Sequence, residues 1–367
     1  MTQKSHNHHD IIIIGGGQSG LTAAKAAEDE GLQALVLEAG DRAVGSWPRY
    51  YDSLKTFSPR RFSSIPDFPH EGDPDGYPSR NDIAEYLEKF SLSLRSEIRT
   101  GVKVNSVTND AGEFTVHTSD GEQLKTHGLI AASGSFDNPH VPIIPGHANF
   151  TGHTVHVADY RSPESFAGQR VVVVGGGNSA IQVGVELANH ATTTVASRHP
   201  VMLLPQQTDG KDLHHHLVSG LDYLPASWIA RLFSNALTID IGNYRDAFES
   251  GLLDFQQLFT EFDGDSVVWP NGTRERVDAV IFATGYRPHL SYLQGLGALD
   301  DHQNPLHSSG LSLTHPGLAY LGVELQRSFA SNTLRGVLDD ARSVMKPLAA
   351  FVRGRYALPQ GHLLEFG

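Results

Sequence analysis

Two glycine-rich turns, 160 residues apart, constrain this chain more than any other feature. The first, Gly15–Gly20, follows the apolar run Ile11–Ile14, and the second, Gly175–Ala180, follows Val171–Val174. In such a turn the first glycine allows a tight passage from strand to helix and the second lets a pyrophosphate approach the backbone; the third lets helix and strand pack closely. A diphosphate then lies on the free N–H groups of the helix N-terminus. The spacing therefore predicts two dinucleotide-binding units.

The residue that ends the second strand of each unit differs between the two copies. Twenty-three positions after the first glycine stands Glu38 in the first copy and Arg198 in the second. A carboxylate there accepts hydrogen bonds from ribose hydroxyls, whereas an arginine suits a 2′-phosphate. We therefore expect two different dinucleotides. The second is expected to be NADPH, with Arg198 and His199 at its 2′-phosphate, and NADH is kept as the alternative.

Composition narrows the class of protein. The 367 residues include 28 Lys+Arg against 41 Asp+Glu, and the net charge of −13 argues against nucleic acid or an anionic membrane as partner. Residues 1–10 lack the apolar stretch of a signal peptide, and no apolar run approaches the roughly 20 residues of a membrane span, so we expect a cytoplasmic protein. The chain has no cysteine, which excludes the redox-active pair of the disulfide reductases, one branch of enzymes with two dinucleotides.

The two halves of the chain repeat one plan, in which a glycine turn and a helix are followed by a hairpin and a strand that ends before a glycine. Gly121 precedes Gly134 by 13 residues, and Gly272 precedes Gly285 by 13. The duplication predicts an α/β fold with two doubly wound Rossmann-like domains, the second inserted in the first, each with a small β-meander. The expected boundaries are 1–160 and 281–367 for the two parts of the first domain and 161–280 for the inserted domain, with a helical insert at 209–262.

The insert is rich in aromatic residues. We interpret them as core of the inserted domain, with the wall of a substrate pocket between the domains as the alternative. They are Trp228, Phe233, Tyr244, Phe248, Phe255, Phe259 and Phe262.

Four further segments resemble the motifs of a known family. They are Phe150–Tyr160, with the pattern F-x-G-x-x-x-H-x-x-x-Y; Gly45–Trp47, after the ribose acid; Ala283–Pro288, with the sequence A-T-G-Y-R-P; and Ser331–Gly336, before the last helix. Together with the two turns they cover most of the chain and resemble the bacterial flavin-containing monooxygenases of class B, which use FAD and NAD(P)H.

The resemblance implies that the first unit binds FAD and the second NADPH. It assigns cofactor contacts in the first unit to Gly15, Gly17, Gln18, Ser19, Gly20, Glu38, Trp47, Val104, Gly134, Asn332 and Leu334. In the second unit it assigns them to Gly175, Gly177, Asn178, Ser179, Ala180, Arg198, His199, Thr284 and Gly285. His156, the fingerprint histidine, is expected to tie the linker to the nucleotide rather than to transfer protons. No side chain is assigned a catalytic role, because the chemistry is centred on the flavin.

One segment departs from the pattern of that family. Eukaryotic-type relatives carry Ser-Asn after the G-[GST]-W motif, and that asparagine points toward the flavin where oxygen reacts. Here Leu54–Pro59 is the comparable stretch, and Phe57 takes the place of the asparagine. An apolar ring near the flavin, in place of an amide that can hydrogen-bond a peroxyflavin, puts the lifetime of the oxygenating species in question.

Two histidine tracts invite comparison with metal-binding sequences. His6–His9 lies in an expected disordered tail and His214–His216 in a polar stretch. Neither has carboxylate or thiolate partners at fitting spacing, so we expect solvated surface and no metal site.

The leading functional hypothesis is a monooxygenase that acts on a small molecule with O₂. NADPH reduces FAD, and reduced flavin and O₂ form a C4a-(hydro)peroxyflavin that transfers oxygen to a sulfide, an amine or a ketone. The alternative enzyme is an NAD(P)H oxidase or reductase that passes electrons to O₂ or a quinone without oxygenation. Outside enzymology the alternative is a flavin-binding redox sensor. Neither the substrate nor the oligomeric state follows from the sequence, and a homodimer is kept as an alternative.

Overall fold

The computed structural model describes residues 8–232 and 237–357. The β-strands are β1 (His8–Ile14), β2 (Ala34–Leu37), β3 (Glu97–Arg99), β4 (Val104–Asp110), β5 (Glu113–Thr118), β6 (Gln123–Ala131), β7 (His153–His156), β8 (Arg170–Val174), β9 (Thr192–Ser197), β10 (Met202–Pro205), β11 (Gln207–Thr208), β12 (Lys211–Asp212), β13 (Leu237–Asp240), β14 (Asp254–Gln257), β15 (Glu261–Asp263), β16 (Ser266–Val268), β17 (Arg274–Arg276), β18 (Ala279–Phe282), β19 (His307–Ser308), β20 (Leu311–Ser312) and β21 (Leu318–Tyr320). The α-helices are α1 (Gln18–Asp29), α2 (Arg80–Ser93), α3 (Asn178–Ala188), α4 (Leu213–Ser219), α5 (Ala226–Leu232), α6 (Tyr244–Glu249) and α7 (Val337–Ala357).

The first sheet is built on five parallel strands in the order β21-β6-β1-β2-β3, and β4 and β5 join it as an antiparallel meander on β6. In its central strand, β1, the residues Ile11–Ile14 are apolar and buried because both faces of the sheet are covered there. Ile11 and Ile13 pack with helices α1 and α7, whereas Ile12 and Ile14 pack with the meander and the segment that follows the second sheet. The sheet is therefore the middle layer of the first domain.

The second sheet has five parallel strands in the order β14-β9-β8-β18-β7. Val171 and Val173 of its central strand pack with α3 and α6, and Val172 and Val174 pack on the side of the β15-β16-β17 meander. The predicted fold class, with two Rossmann-like domains that each carry a meander, is confirmed.

Strand pairing shows which segments build each sheet. The edge strand of the second sheet, β7, lies before residue 161, and its strand β18 extends past residue 280. The segment 209–262 contains α4, α5 and α6, but also β13, which pairs with β10, and β14. The division into domains at 160 and 280 stays a prediction.

The aromatic residues of the insert do not all lie in the core. Tyr244, Phe259 and Phe262 are buried, as we expected, whereas the Trp228 side chain is 61% exposed and contradicts that expectation. Phe233 lies outside the described residues. In the part of the chain that the structure describes, no helix combines the length and apolar character needed to cross a membrane.

The first histidine tract is not wholly a tail. His6 lies outside the described residues, but His8 and His9 begin β1 and pair with β6. The expectation of a disordered segment is wrong for these two residues. The apolar run Ile11–Ile14 predicts the strand, but the hydrogen bonds of the parallel sheet extend further toward the N-terminus, to His8.

Candidate functional site

The first glycine turn is sterically fixed by its own surroundings. Gly15 follows β1 with φ of +108°, and a Cβ there would lie 2.4 Å from the carbonyl oxygen of Ala132. A Cβ on Gly20 would lie 1.7 Å from the carbonyl oxygen of Gly15. Because both distances are below any real contact, the turn requires glycine at both places even before a ligand is considered.

The N-terminus of α1 is open to an anion. Gly17 precedes the helix without a side-chain cap, and the first turn contains no acidic residue. The free N–H groups and the helix dipole therefore favour a phosphate there. Gln18 donates through Nε2 to the carbonyl oxygen of Asn332 at 2.8 Å, which brings the predicted C-terminal cofactor residues to this turn. A cradle of this kind fits the pyrophosphate of a dinucleotide.

Glu38 ends β2 beside the turn. Its two carboxylate oxygens accept the backbone N–H groups of Gly16 at 2.6 Å and of Gly40 at 2.7 Å. Each oxygen keeps a further lone pair, so the carboxylate can still accept from a ribose hydroxyl. The backbone N–H of Val102 donates to the carbonyl oxygen of Glu38 at 2.9 Å. Val104 lies two residues further along the chain, and the Val104 side chain belongs to the core under the meander.

The remaining residues predicted for the first unit surround the same turn. Ser19 is buried next to Gly322, and Leu334 is buried in the cluster of side chains against which Trp47 packs. Gly134, with φ of +68°, follows β6, and its carbonyl accepts from the backbone of His289 at 2.8 Å. Trp47 thus contacts the core as well as lying near the cradle.

The second turn has the shape of the first but leaves more space around its second and third motif positions, Gly177 and Ala180. Gly175 has φ of +148°, and a Cβ there would lie 2.4 Å from the carbonyl oxygen of Ala283. The third place is Ala180, which is fully buried, so this turn accommodates a methyl group where the first does not. A Cβ on Gly177 would have no atom within 4 Å, and α3 begins there without a side-chain cap. The space in front of this helix is therefore free for a diphosphate.

The inserted segment contacts the second turn directly. Thr238 of β13 donates its hydroxyl to the carbonyl oxygen of Gly176 at 2.9 Å, and the N–H of Ile239 donates to Oδ1 of Asn178 at 2.9 Å. Ser179 is hydrogen-bonded to Tyr51, which comes from the first domain. Two of the residues predicted to bind the cofactor thus also connect the turn to neighbouring elements.

Arg198 and His199 follow β9 and are exposed. Among the described residues, Arg198 forms no ion pair with a carboxylate, so its guanidinium group is available to a phosphate. Burial, followed by the charges of Arg287 and Arg198, lowers the pKa of His140. Arg287 and Arg198 therefore both lie near enough to His140 to act on its charge, although the chain as a whole is acidic. The sequence interpretation placed Arg287 in the A-T-G-Y-R-P segment but assigned neither Arg287 nor His140 to the nucleotide.

The segment after β18 is held by the fingerprint histidine. His156 is buried; its Nε2 lies 3.1 Å from the carbonyl oxygen of Gly285, and its Nδ1 accepts the N–H of Ala158 at 3.1 Å. A ring that donates at one nitrogen and accepts at the other is neutral, and burial lowers the pKa of His156 accordingly. Thr284 donates its hydroxyl to the carbonyl oxygen of His140. These bonds position the backbone and occupy both ring nitrogens of His156.

Phe57 lies against a buried histidine that the sequence interpretation placed on the surface. His214 is 1% exposed, and its ring is 6.1 Å from the ring of Phe57 and 5.9 Å from that of Phe62. Its Nδ1 lies 2.8 Å from Oδ1 of Asp212. The expectation of a solvated tract is therefore wrong for His214, because α4 turns this residue inward between two phenyl rings.

Asp212 joins the two domains through hydrogen bonds. Tyr77 donates to its Oδ2 at 2.6 Å and Gln206 donates to the same atom at 2.6 Å; Gln206 also donates to the carbonyl oxygen of Phe57 at 2.8 Å. Burial alone would raise the pKa of Asp212, but the hydrogen bonds from His214, Tyr77 and Gln206 lower it to about 2. Burial and the neighbouring carboxylate raise the pKa of Tyr77 to about 12.

This network was not found from the sequence, because Tyr77 and Asp212 are 135 residues apart. The only local signal is an aspartate two residues before a histidine, which is common at helix N-termini. A cavity of about 230 Å³ lies beside the network and is lined by Pro59, Arg61, Asp75, Tyr77, Gln207, Gly210, Lys211, Asp212 and His215.

Comparison with known proteins gives one family match and many relatives. Residues 12–218 match the family model described as pyridine nucleotide-disulphide oxidoreductase. A flavin-containing monooxygenase from Stenotrophomonas maltophilia is 30% identical, with a TM-score of 0.83 over 94% of this chain and 99% of that one.

Two curated relatives extend the comparison. The indole-3-pyruvate monooxygenase YUCCA1 of Oryza sativa subsp. japonica is 30% identical over 322 residues, which cover 78% of this chain and 79% of that protein. An uncharacterized oxidoreductase, CzcO-like, from Geobacillus kaustophilus is 27% identical and covers 92% of this chain and 98% of its own length.

Proposed function

Since this chain belongs to the pyridine nucleotide-disulphide oxidoreductase family and, within it, to the flavin-containing monooxygenases, we propose that it oxygenates a small organic molecule with FAD, NADPH and O₂. The predicted family and the prediction of a flavin-dependent oxidoreductase are confirmed. A flavin and a pyridine nucleotide as cofactors are confirmed at the level of the family. Sulfides, amines and ketones are the proposed substrates, and a cytoplasmic location and a homodimer stay predictions.

The observation on which the proposal depends is the pair of cradles with different final residues. Both turns exclude a side chain at their first glycine, and both helices begin without a cap. The first cradle ends in the carboxylate of Glu38 and the second in the guanidinium of Arg198, which pairs with no carboxylate of residues 8–232 and 237–357. An acid suits ribose hydroxyls and a cation suits a 2′-phosphate, so FAD fits the first and NADPH the second.

The residues of the chain bind and orient the cofactors. When bound, the flavin supplies the redox and oxygen chemistry. Gly15, Gly17 and the N-terminus of α1 would hold the first pyrophosphate, and Gly175, Gly177 and the N-terminus of α3 the second. Gly134, joined to the backbone of His289, and His156, joined to that of Gly285, fix the segments between the two units.

The rings of Phe57, Phe62 and His214 form an aromatic wall in which Asp212 holds the imidazole and the Phe57 side chain is 39% exposed. We infer that this wall excludes water from the reacting region. The position of Phe57 near the flavin rests on the family pattern and stays a proposal. Water exclusion protects a reactive oxygen species from decay, so this aromatic wall would partly offset the missing amide.

The proposal is tested by accounting for oxygen. The purified protein, given NADPH, O₂ and a simple aryl methyl sulfide, should form sulfoxide, and hydrogen peroxide should fall as the sulfide concentration rises. Anaerobic reduction by NADPH followed by rapid mixing with O₂ should show a transient flavin absorbance distinct from the oxidised and reduced forms. Peroxide formed one-for-one with NADPH, whatever sulfide, amine or ketone is present, would refute oxygenation.

A second candidate function is an NAD(P)H oxidase that uses the same cofactors. The specific observation in its favour is Phe57, which cannot donate a hydrogen bond, at the place where relatives of the eukaryotic type carry an amide. The two functions differ in the product of oxygen and not in the cofactors. The same peroxide measurement therefore decides between them. Multiple turnovers in air would exclude a redox sensor.

A further inference from the structure

We propose that His8, Glu113 and His127 form a binding site for a divalent transition-metal ion such as Zn²⁺. Each residue offers one ligand atom, and the three atoms lie within 4.8 Å of one another. The group lies at the beginning of β1, roughly 20 Å along the strand from the glycine turn at its other end. It is therefore separate from the cofactor cradles.

Strand register brings the three residues together. His8 on β1 pairs with Lys125 on β6, and Phe114 on β5 pairs with Thr126 on β6. Glu113 is therefore next to His127 across the β5-β6 pair, and His127 follows Lys125 by two residues on the same face of the sheet. The site thus rests on three hydrogen-bonded strands and not on a loop.

The separation of the ligand atoms suits one metal ion. Nε2 of His8 lies 3.5 Å from Oε1 of Glu113, which is at the outer limit of a hydrogen bond. Two ligands that each bind Zn²⁺ at about 2.1 Å with a tetrahedral angle are about 3.4 Å apart. These two atoms are therefore already at the separation that one ion would set, and the ligand atom of His127 lies within 4.8 Å of both.

Neighbouring groups orient two of the ligands. Lys125 binds Oε2 of Glu113 at 2.7 Å and so leaves Oε1 turned toward His8. The carbonyl oxygen of Gly112 lies 3.1 Å from Nδ1 of His127 and fixes the orientation of that ring. Such partners commonly fix the ligands of metal sites.

Two imidazoles and one carboxylate define the class of ion. This donor set suits Zn²⁺ and its first-row neighbours better than Mg²⁺ or Ca²⁺, which prefer oxygen ligands alone. Three protein ligands leave at least one position for water. The bound ion would link the start of β1 to the meander and stabilise the first domain. The histidine tract gave no such signal in the sequence, since Glu113 and His127 are more than 100 residues from His8.

The test is a metal titration of the full chain after treatment with a chelator. Zn²⁺ competed against a chromophoric chelator, and Co²⁺ followed by its visible absorption, should each bind with one equivalent. Glu113→Gln should weaken binding by about 10- to 100-fold, and His127→Ala by at least as much. The matched control is His117→Ala, because His117 lies on β5 near Thr108 and outside the group; it should bind as the wild type does.

Thermal unfolding separates the site from a folding defect. In chelator, the variants should unfold at the temperature of the wild type, and added Zn²⁺ should raise that temperature only for the wild type and His117→Ala. Equal binding by the wild type and His127→Ala would assign the metal to the N-terminal histidines and overturn the proposal. Absence of binding at micromolar Zn²⁺ would overturn it too. If His127→Ala unfolds early in chelator, the conservative Glu113→Gln decides.

Discussion

Replacing Arg198 by alanine should weaken NADPH relative to NADH. A charge-assisted hydrogen bond to a phosphate contributes about 1.5–3 kcal/mol, which corresponds to roughly ten- to a hundredfold in affinity. Arg198 is exposed, and solvent screens it, so we expect the lower end of this range. NADH has no 2′-phosphate, and its binding should change little.

The surroundings of Arg198 explain why the loss should be partial. His140 and Arg287 lie near enough for the charges of Arg287 and Arg198 to lower the pKa of His140. Arg287 remains in the single variant and still attracts the phosphate. We therefore expect Arg198→Ala combined with Arg287→Ala to lose more discrimination than either change alone.

The assay is the rate of anaerobic flavin reduction as a function of NADPH or NADH concentration, which gives an apparent Kd for each. Arg95→Ala is the matched control, because Arg95 is an exposed arginine of the first domain and its loss changes the net charge equally. The Kd for NADH divided by the Kd for NADPH should fall about tenfold in Arg198→Ala and stay constant in Arg95→Ala. An unchanged ratio in Arg198→Ala, or equal weakening of both nucleotides, would refute the reasoning.

Three further predictions test the cradles and the wall. Gly17→Val should purify without yellow flavin absorbance. Gly177→Val, whose new side chain meets only open space in the protein, should keep the flavin and be reduced by dithionite but no longer by NADPH. Retained flavin in Gly17→Val would remove the first cradle from the proposal, and normal NADPH reduction of Gly177→Val would remove the second. Phe57→Asn should lower the peroxide formed per NADPH in the presence of a sulfide, because an amide can hydrogen-bond oxygen bound near the flavin, and an unchanged yield would separate this position from oxygen chemistry. Asp212→Asn should lower the free energy of unfolding at pH 7 by roughly 1–3 kcal/mol, because it weakens a buried network. Since the pKa of Asp212 is lowered to about 2, the wild type should keep this extra stability above about pH 4 and lose it as the pH falls through 2. Unfolding midpoints of both proteins from pH 7 to pH 2 will show the difference.

The sequence by itself determined the two cradles, because the steric demands of a strand-to-helix turn are local. Gly15 and Gly175 both face a carbonyl oxygen of the neighbouring strand, so any chain that makes this turn must place glycine there. The apolar runs before the two turns likewise predict parallel strands that are covered on both faces. Glu38 and Arg198 could be located because the second strand has a nearly fixed length.

Only the tertiary structure decided which distant residues meet. His214 is buried because α4 turns it between Phe57 and Phe62, and its aspartate is held by Tyr77 from another domain. No spacing rule connects these residues, since contacts across a domain boundary depend on how whole elements pack.

Long-range pairing also explains why the surroundings of His8 could not be predicted from its histidine tract. Its neighbours Glu113 and His127 are brought to it by the register of three strands, and register depends on the pairing of the complete sheet. Local sterics and periodicity could thus be read along the chain, whereas the surroundings of individual polar side chains were settled by long-range pairing and packing.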